Sequence, residues 1–379
     1  VKAGWQTSTL GDVCEIYQPK TISAKEMVDD GAYPVFGANG IIGNYDKFNH
    51  EESQLLITCR GATCGSVNIS EPKSWITGNA MVVRPKDESL DVRFLEYLFR
   101  GGLDISQAIT GAAQPQITRA NLAPLGIAYP VSVEEQQRIV GILDTAFDGI
   151  AAAKANAEQN LQNARALFES HLQSVFTQRG EGWDEKTLKE LGTLTSSKRI
   201  FKSEYVKSGV PFYRTKEVKE LANGKEITTE LFISEGRYKE IKASFGVPKE
   251  GDILLTAIGT IGEIYVVEGD GEFYFKDGNV LWLKNFTTIN PHFLRYALVS
   301  FVESLNKISH GAAYSALPIQ RLNAHKIFVP SPKEQSAIVS QLDFLAAETQ
   351  RLASLYQRKL AALDELKKSL LYQAFSGAL

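Results

Sequence analysis

Glu135-Gln136, Ile139-Val140 and Leu143-Asp144 recur in the same order and at the same spacing as Glu334-Gln335, Ile338-Val339 and Leu342-Asp343. Each stretch heads a long run without proline in which apolar residues fall three and four apart, or at multiples of these spacings. In the first run they are Leu143, Phe147, Ile150, Ala157, Leu161, Ala164 and Phe168. In the second they are Leu342, Leu345, Leu352, Tyr356, Leu360, Leu363, Leu366 and Leu370. This pattern predicts two long helices, each burying one stripe against another helix. About 35 residues at 1.5 Å each make a rod of roughly 50 Å. Gly149 is the weak point inside the first rod.

The duplication extends upstream. Gly4-Trp5 with Leu10-Gly11-Asp12-Val13 matches Gly182-Trp183 with Leu188-Lys189-Glu190-Leu191. Leu55-Leu56-Ile57-Thr58 before Gly61 and Gly65 matches Ile253-Leu254-Leu255-Thr256 before Gly259 and Gly262. Gly78-Asn79, Phe94-Leu95, Gly111-Ala112-Ala113 and Tyr129-Pro130 match Gly278-Asn279, Phe293-Leu294, Gly311-Ala312-Ala313 and Val329-Pro330. The second copy gains residues between Trp183 and Ile253. A dozen matches in one order define a tandem repeat.

Residues 53–58, 80–84, 252–256 and 280–284 read as short buried strands, and 92–100 and 292–301 as helices. The expected fold class is α+β: two mixed α/β domains, 1–141 and 180–332. Two long antiparallel, coiled-coil-like helices, 142–179 and 333–379, separate them with pseudo-two-fold symmetry.

Composition sets outer bounds. The chain has 379 residues, 44% of them apolar and 22% charged, so sizeable cores can form. It shows no apolar run of about 18 residues and no secretion-type start, so no membrane span is expected. Three cysteines, Cys14, Cys59 and Cys64, suit a reducing cytoplasm. No second cysteine pair or spaced histidine pair completes a zinc site. Residues 1–142 carry 12 Lys and Arg against 16 Asp and Glu; residues 183–330 carry 20 against 18. Neither half is a basic domain, so any nucleic-acid contact rests on local patches or on a partner's charge.

Catalytic motifs are missing. There is no phosphate-binding Gly-Lys-Ser/Thr loop and no nucleophile elbow. His50, His171, His292, His310 and His325 are scattered. Asn290-Pro291-His292-Phe293 is similar to the Asn-Pro-Pro-Tyr/Phe signature of amino-methyltransferases. The first copy has Asp91-Val92-Arg93-Phe94 there, so Asp91 and Asn290 read as helix N-caps and Pro291 as a first helical residue. Gly61–Gly65 reads as a hairpin turn in which glycine supplies positive φ. A phosphate or base contact there is the second reading.

The ordered set Trp5 to Val13, Tyr33 to Gly40, Arg60 to Gly65, Gly78-Asn79, Gly111 to Ile117, Pro130 and Glu135 to Val140, followed by a long helix, resembles the specificity subunit of type I restriction–modification enzymes. The resemblance covers essentially the whole chain in both copies. It implies a noncatalytic subunit whose two domains each read half of a bipartite, asymmetric site in double-stranded DNA. It further implies helices that act as a ruler, with Leu143, Phe147, Leu161, Leu342, Leu352 and Leu363 marking the subunit-binding region. Two modification subunits would bind there and restriction subunits would join them, so that S-adenosylmethionine, ATP and Mg sit on the partners.

Comparison of the copies locates candidate readers. Phe36-Gly37-Ala38-Asn39-Gly40 stands where the second copy has Tyr213-Arg214-Thr215-Lys216, and Gln114-Pro115-Gln116 where it has Tyr314-Ser315-Ala316. Arg and Lys suit guanine O6 and N7, and Asn and Gln suit adenine N6 and N7. The candidates are Asn39, Arg60, Gln114, Gln116 and Arg119 in the first copy. In the second they are Lys198, Arg199, Arg214, Lys216, Tyr314 and Arg321. The alternative is a helical scaffold with two protein-binding domains, which the net charge of −3 suits better.

Overall fold

In the computed structural model, which describes residues 3–178, 180–259, 261–308, 317 and 319–379, both copies follow one element order. The first runs β1 (Trp5–Thr9), α1 (Leu10–Val13), β2 (Cys14–Tyr17), β3 (Tyr33–Phe36), β4 (Ile41–Tyr45), β5 (Leu55–Thr58), β6 (Val67–Ile69), β7 (Trp75–Ile76), β8 (Ala80–Pro85), α2 (Val92–Tyr97), α3 (Arg119–Leu122) and β9 (Gly126–Pro130) into α4 (Val133–Thr177). The second runs β10 (Asp184–Thr187), α5 (Leu188–Leu191), β11 (Thr193–Ser196), β12 (Tyr205–Val206), β13 (Val210–Tyr213), α6 (Thr215–Ala222), β14 (Phe232–Ile233), α7 (Glu235–Ser244), β15 (Ile253–Thr256), β16 (Ile264–Val266), β17 (Tyr274–Phe275), β18 (Val280–Lys284), α8 (Pro291–Ile308), α9 (Ile319–Asn323) and β19 (Lys326–Val329) into α10 (Pro332–Ser376). The extra residues of the second copy form α6, β14 and α7, where the first has only β4.

Each copy centres on an antiparallel four-stranded sheet, β2-β8-β5-β6 in the first and β11-β18-β15-β16 in the second. Its middle strands carry unbroken apolar runs, Leu55–Ile57 and Ala80–Val83 in the first and Ile253–Leu255 and Val280–Leu283 in the second, because both faces are covered. Successive side chains alternate between the faces. Leu55, Ile57, Met81 and Val83 join the core beneath the helices, while Leu56, Ala80 and Val82 meet Phe36 and Ile76 of β3 and β7. Ile253, Leu255, Leu281 and Leu283 repeat the first arrangement, and Leu254, Val280 and Trp282 the second. Burying each such side chain is worth about 1.5–3 kcal/mol. The pairs β1-β9 and β10-β19 bring each domain's end back to its start, just ahead of the long helix.

The chain divides into two compact units, Val1–Gln159 with Tyr356–Leu379, and Asn160–Leu355. In the first, the start of α4 and the end of α10 run antiparallel. Arg138 donates to the Leu379 carbonyl at 3.2 Å, Lys367 Nζ lies 4.9 Å from the Phe147 ring centre, and Lys154 pairs with Asp364 at 2.6 Å. Leu371, Ala374 and Phe375 of α10 complete the core around Phe94, whose ring centre lies 5.3 Å from that of Phe375. In the second unit the end of α4 takes the corresponding place. Phe176 lies 5.3 Å from Phe293, and Leu172 packs with Tyr296 and Leu342.

The helix α4 starts ahead of the boundary at 142 drawn from the apolar seam. Ser132 Oγ accepts the Glu135 N–H at 3.2 Å and opens the helix there, and Ser331 does the same for Glu334 at 3.4 Å. The helix continues through Gly149. Leu366 is 46% exposed and lies outside the seam; the next residue, Lys367, places its ammonium over the Phe147 ring. The helix read over 92–100 gives way to a wider turn at Leu98–Gly102. Gly101 and Gly102 let Leu371 and Phe375 approach, for a Cβ on Gly101 would lie 2.6 Å from Leu371 Cδ1. The second copy has Ser300 and Phe301 at these positions, and α8 runs on. Asp91 caps α2, accepting from Arg93 and Phe94 at 2.8 and 2.9 Å; Asn290 caps α8, accepting from His292 at 2.9 Å. Among the described residues no helix is long and apolar enough to cross a membrane.

A buried glutamine clamps each domain to its helix. Gln136, 0% exposed, accepts the Asp91 N–H at 2.8 Å and donates to the Ser89 and Pro130 carbonyls, both at 2.9 Å. Gln335, 1% exposed, accepts the Asn290 N–H at 2.7 Å and donates to the Pro330 and Thr288 carbonyls at 2.9 and 3.4 Å. Beside the clamps Tyr97 donates to Asp144, and Tyr296 to Asp343 at 2.6 Å. Burial, then the Asp343 carboxylate, pushes the Tyr296 hydroxyl up to about 12, so it stays a donor. Gln136→Ala leaves one buried and two part-buried backbone groups without their partner and should destabilise the first unit by about 1–3 kcal/mol. Hydrogen-exchange mass spectrometry should show protection lost there and kept in the second unit; equal loosening of both would refute the assignment.

Candidate nucleic-acid interface

In the first domain three loops meet over the end of β5. The turn after Thr58 closes through Gly65 N–H to Thr58 O at 2.9 Å, with Gly61 and Gly65 at φ of +86° and +91°. This is the hairpin turn expected of that spacing. The loop after β3 is tied to it: Thr58 Oγ1 donates to Ala38 O at 2.6 Å, Asn68 donates to the same carbonyl at 3.1 Å, and Asn39 donates to Thr63 Oγ1 at 2.8 Å. The 110–117 loop is tied in by Gly61 N–H to Pro115 O at 3.1 Å and Ile117 N–H to Cys59 O at 2.9 Å. Arg60 stands in an antiparallel bridge with Gln116. Asn39, Arg60, Gln114 and Gln116 are thereby brought onto one exposed loop cluster, and Arg119 opens α3 directly after the cap Thr118. Thr58, Thr63 and Asn68 position this cluster and were passed over in the sequence. The recurrence of Thr58 as Thr256 was the available signal.

Cys59 and Cys64 are used internally. The Cys59 thiol lies 3.6 Å from Ile57 O and the Cys64 thiol 3.5 Å from Cys59 O. Burial pushes both thiols above their ordinary pKa, which keeps them protonated.

The second domain repeats the frame. Ala257 N–H donates to Asn279 O at 2.8 Å, as Cys59 does to Asn79 O at 3.2 Å. Leu317 N–H donates to Ala257 O and Gly262 N–H to Thr256 O, each at 2.9 Å, matching the bonds of Ile117 and Gly65. The candidates are differently placed. Lys198 and Arg199 are exposed beyond β11, and Arg199 pairs with Asp277 at 2.8 Å. Lys216 is exposed on α6 and Arg321 on α9. Tyr314, like Gly311-Ala312-Ala313, lies outside the described residues. Arg214 is held by Glu217: its guanidinium donates to the two carboxylate oxygens at 2.7 and 3.3 Å, and its backbone N–H donates at 2.7 Å. Burial alone would raise the Glu217 pKa, but these bonds outweigh it and hold it below the usual carboxylate range.

The helix residues Leu143 and Leu342 are fully buried within their own units, and Phe147, Leu161, Leu352 and Leu363 are half-buried along the same stripe. Leu143 and Phe147 pack into the core of the first unit, and Leu342 packs with Leu172 and Tyr296 in the second. Elsewhere on the long helices Phe344 is 70% and Tyr372 72% exposed.

Two copies of one loop-bearing domain, each clamped to a long helix, define a tandem recognition-type protein. The model of the type I restriction modification DNA specificity domain matches residues 2–163 and again 180–357, and the chain belongs to that family. A putative type I restriction enzyme specificity subunit from Haemophilus influenzae is 28% identical over 83% of this chain and 80% of its own length. The EcoDI specificity subunit of Escherichia coli is 23% identical over 99% of this chain and 88% of its own. The fold is shared with a chain solved in work on complex assembly and conformational transition of the type I R-M system (TM-score 0.79, 18% identity, covering 100% of this chain and 99% of that one). It is also shared with the HsdS subunit from Thermoanaerobacter tengcongensis (TM-score 0.64, 20% identity, 100% and 98%).

Arg214→Ala would strand a buried carboxylate. Because the Arg214 side chain is 37% exposed, the expected loss of second-domain stability is about 2 kcal/mol, below the cost for a fully buried pair. Chemical denaturation should show most of it recovered in Arg214→Ala/Glu217→Gln; an undiminished loss in the double variant would count against the pairing.

Proposed function

We propose that the chain is the noncatalytic DNA-recognition subunit of a type I restriction–modification complex, with each domain reading one half of a bipartite, asymmetric site in double-stranded DNA. The observation that carries this reading is the repeated frame with unlike exposed residues upon it. Asn39, Arg60, Gln114 and Gln116 crown the first frame, and the corresponding loops of the second carry other side chains. Two readers of different half-sites require a common scaffold and divergent contacts. The long helices act as the ruler for the unread spacer. Their faces outside the buried seam dock two modification subunits, with restriction subunits joining the assembly. S-adenosylmethionine, ATP and Mg belong to those partners. The nearly neutral domains leave much of the phosphate attraction to the assembled complex.

The deciding experiment co-expresses the chain with its genomic neighbours and maps methylated adenines genome-wide. A gapped, asymmetric motif is expected. An assembled, soluble complex with no motif and no salt-dependent DNA affinity would favour the protein-scaffold reading. Within a working complex, Arg60→Ala should weaken binding by about 1–3 kcal/mol and relax one position of the first half-site. Unchanged binding and an unchanged motif would remove Arg60 from the readers. Adding one heptad after both Leu161 and its repeat counterpart Leu360 keeps the seam in register and should widen the methylated motif's spacer. A functional complex with an unchanged spacer would end the ruler assignment.

A further inference from the structure

The matched frames show which positions of the two domains are the same slot. Cys59 and Ala257 are each held by an Asn79 or Asn279 carbonyl on one side and by the Ile117 or Leu317 N–H on the other. The next residue is Arg60 in the first domain and Ile258 in the second. A second slot lies at the short helix that follows. Arg119 is the first residue of α3 and Ile319 the first residue of α9, and each helix is anchored by a fully buried leucine, Leu122 or Leu322. At both slots the first domain offers a guanidinium and the second an isoleucine. Ile258 is 41% exposed and Ile319 38% exposed.

One exposed isoleucine needs no explanation. Two, at the two slots where the sister domain places arginine, are a change of chemistry at fixed positions. In the major groove an arginine donates to guanine O6 and N7, whereas an apolar side chain meets the 5-methyl group of thymine. We infer that Ile258, with Ile319 at the neighbouring slot, is a specificity-determining residue that reads a thymine methyl edge in the second half-site, where Arg60 and Arg119 read guanine in the first. This rests on the DNA-recognition reading above and assigns the chemistry of its second half. The Ile258 side chain gives no hydrogen bond to the base. Its discrimination comes from removing the methyl group and its own surface from water.

The test uses the complex assembled with its modification subunits and duplexes bearing its mapped motif. Ile258→Arg should shift one position of one half-site from thymine toward guanine in the methylation map while the other half-site keeps its letters, which also reports that the complex has folded. In that half-site, uracil in place of the thymine at this position should weaken binding about fourfold, the worth of one buried methyl group. Ile258→Ala should bind the thymine and uracil duplexes equally, and Ile258→Val should still tell them apart. The inference is overturned if no thymine of that half-site is sensitive to uracil, or if Ile258→Ala keeps the full difference. A gapped motif without the uracil effect overturns this assignment and leaves the recognition reading standing. The lack of any gapped motif overturns both.

Discussion

Each half of the molecule depends on one buried amide. Gln136 and Gln335 sit in the first turn of α4 and α10, where a helix has N–H groups without partners, and they spend their side chains on the domain instead. Each takes the N–H of the residue that caps the domain's own helix, Asp91 or Asn290, and gives its hydrogens to carbonyls of two separate segments. A carboxylate there could accept the N–H but could not donate to the carbonyls, and an aliphatic side chain could do neither. The amide is the side chain that satisfies all three backbone groups, so it fixes the angle at which the long helix leaves the domain.

With that exit set, the rest of each unit follows from apolar patterning. The runs Leu55–Ile57 of β5, Ala80–Val83 of β8, Ile253–Leu255 of β15 and Val280–Leu283 of β18 are apolar because they are covered on both faces, and the long helices are striped because they are covered on one. The candidate readers sit on the loops of this frame, where backbone bonds rather than side-chain packing hold the shape.

The frame was legible in the sequence because burial repeats. The strand runs, the heptad seam, the caps Asp91 and Asn290 and the Glu-Gln headings all recur at matched spacing, and each recurrence had a physical reason waiting for it. Leu366 carries a seam residue's chemistry at an exposed position, and the neighbouring Lys367 faces Phe147 with its ammonium. The end of α2 was misread because Gly101 and Gly102 answer to side chains of α10, more than 260 positions away in the chain. Arg214 is a candidate reader by its place in a divergent loop and by its guanidinium, and only the fold shows that guanidinium paired with the buried carboxylate of Glu217. The contacts that bring Arg60 and Gln116 together run between backbone atoms, which leave no trace in side-chain identity, whereas the loop of Asn39 is tied in by the side chains of Thr58, Thr63 and Asn68.

The way each domain's core is completed has a consequence for biosynthesis. Phe293 is covered by Phe176, which leaves the ribosome before its domain does. Phe94 is covered by Phe375, which follows nearly the whole chain. Domains are ordinarily finished in the order in which they are made. Here the unit Asn160–Leu355 has all its parts first, and the unit that begins the chain waits with an open apolar face until residues 356–379 arrive. A message cut short before the codon for Tyr356 thus yields a chain in which the unit Asn160–Leu355 has its parts and the domain made before it is the unfinished one.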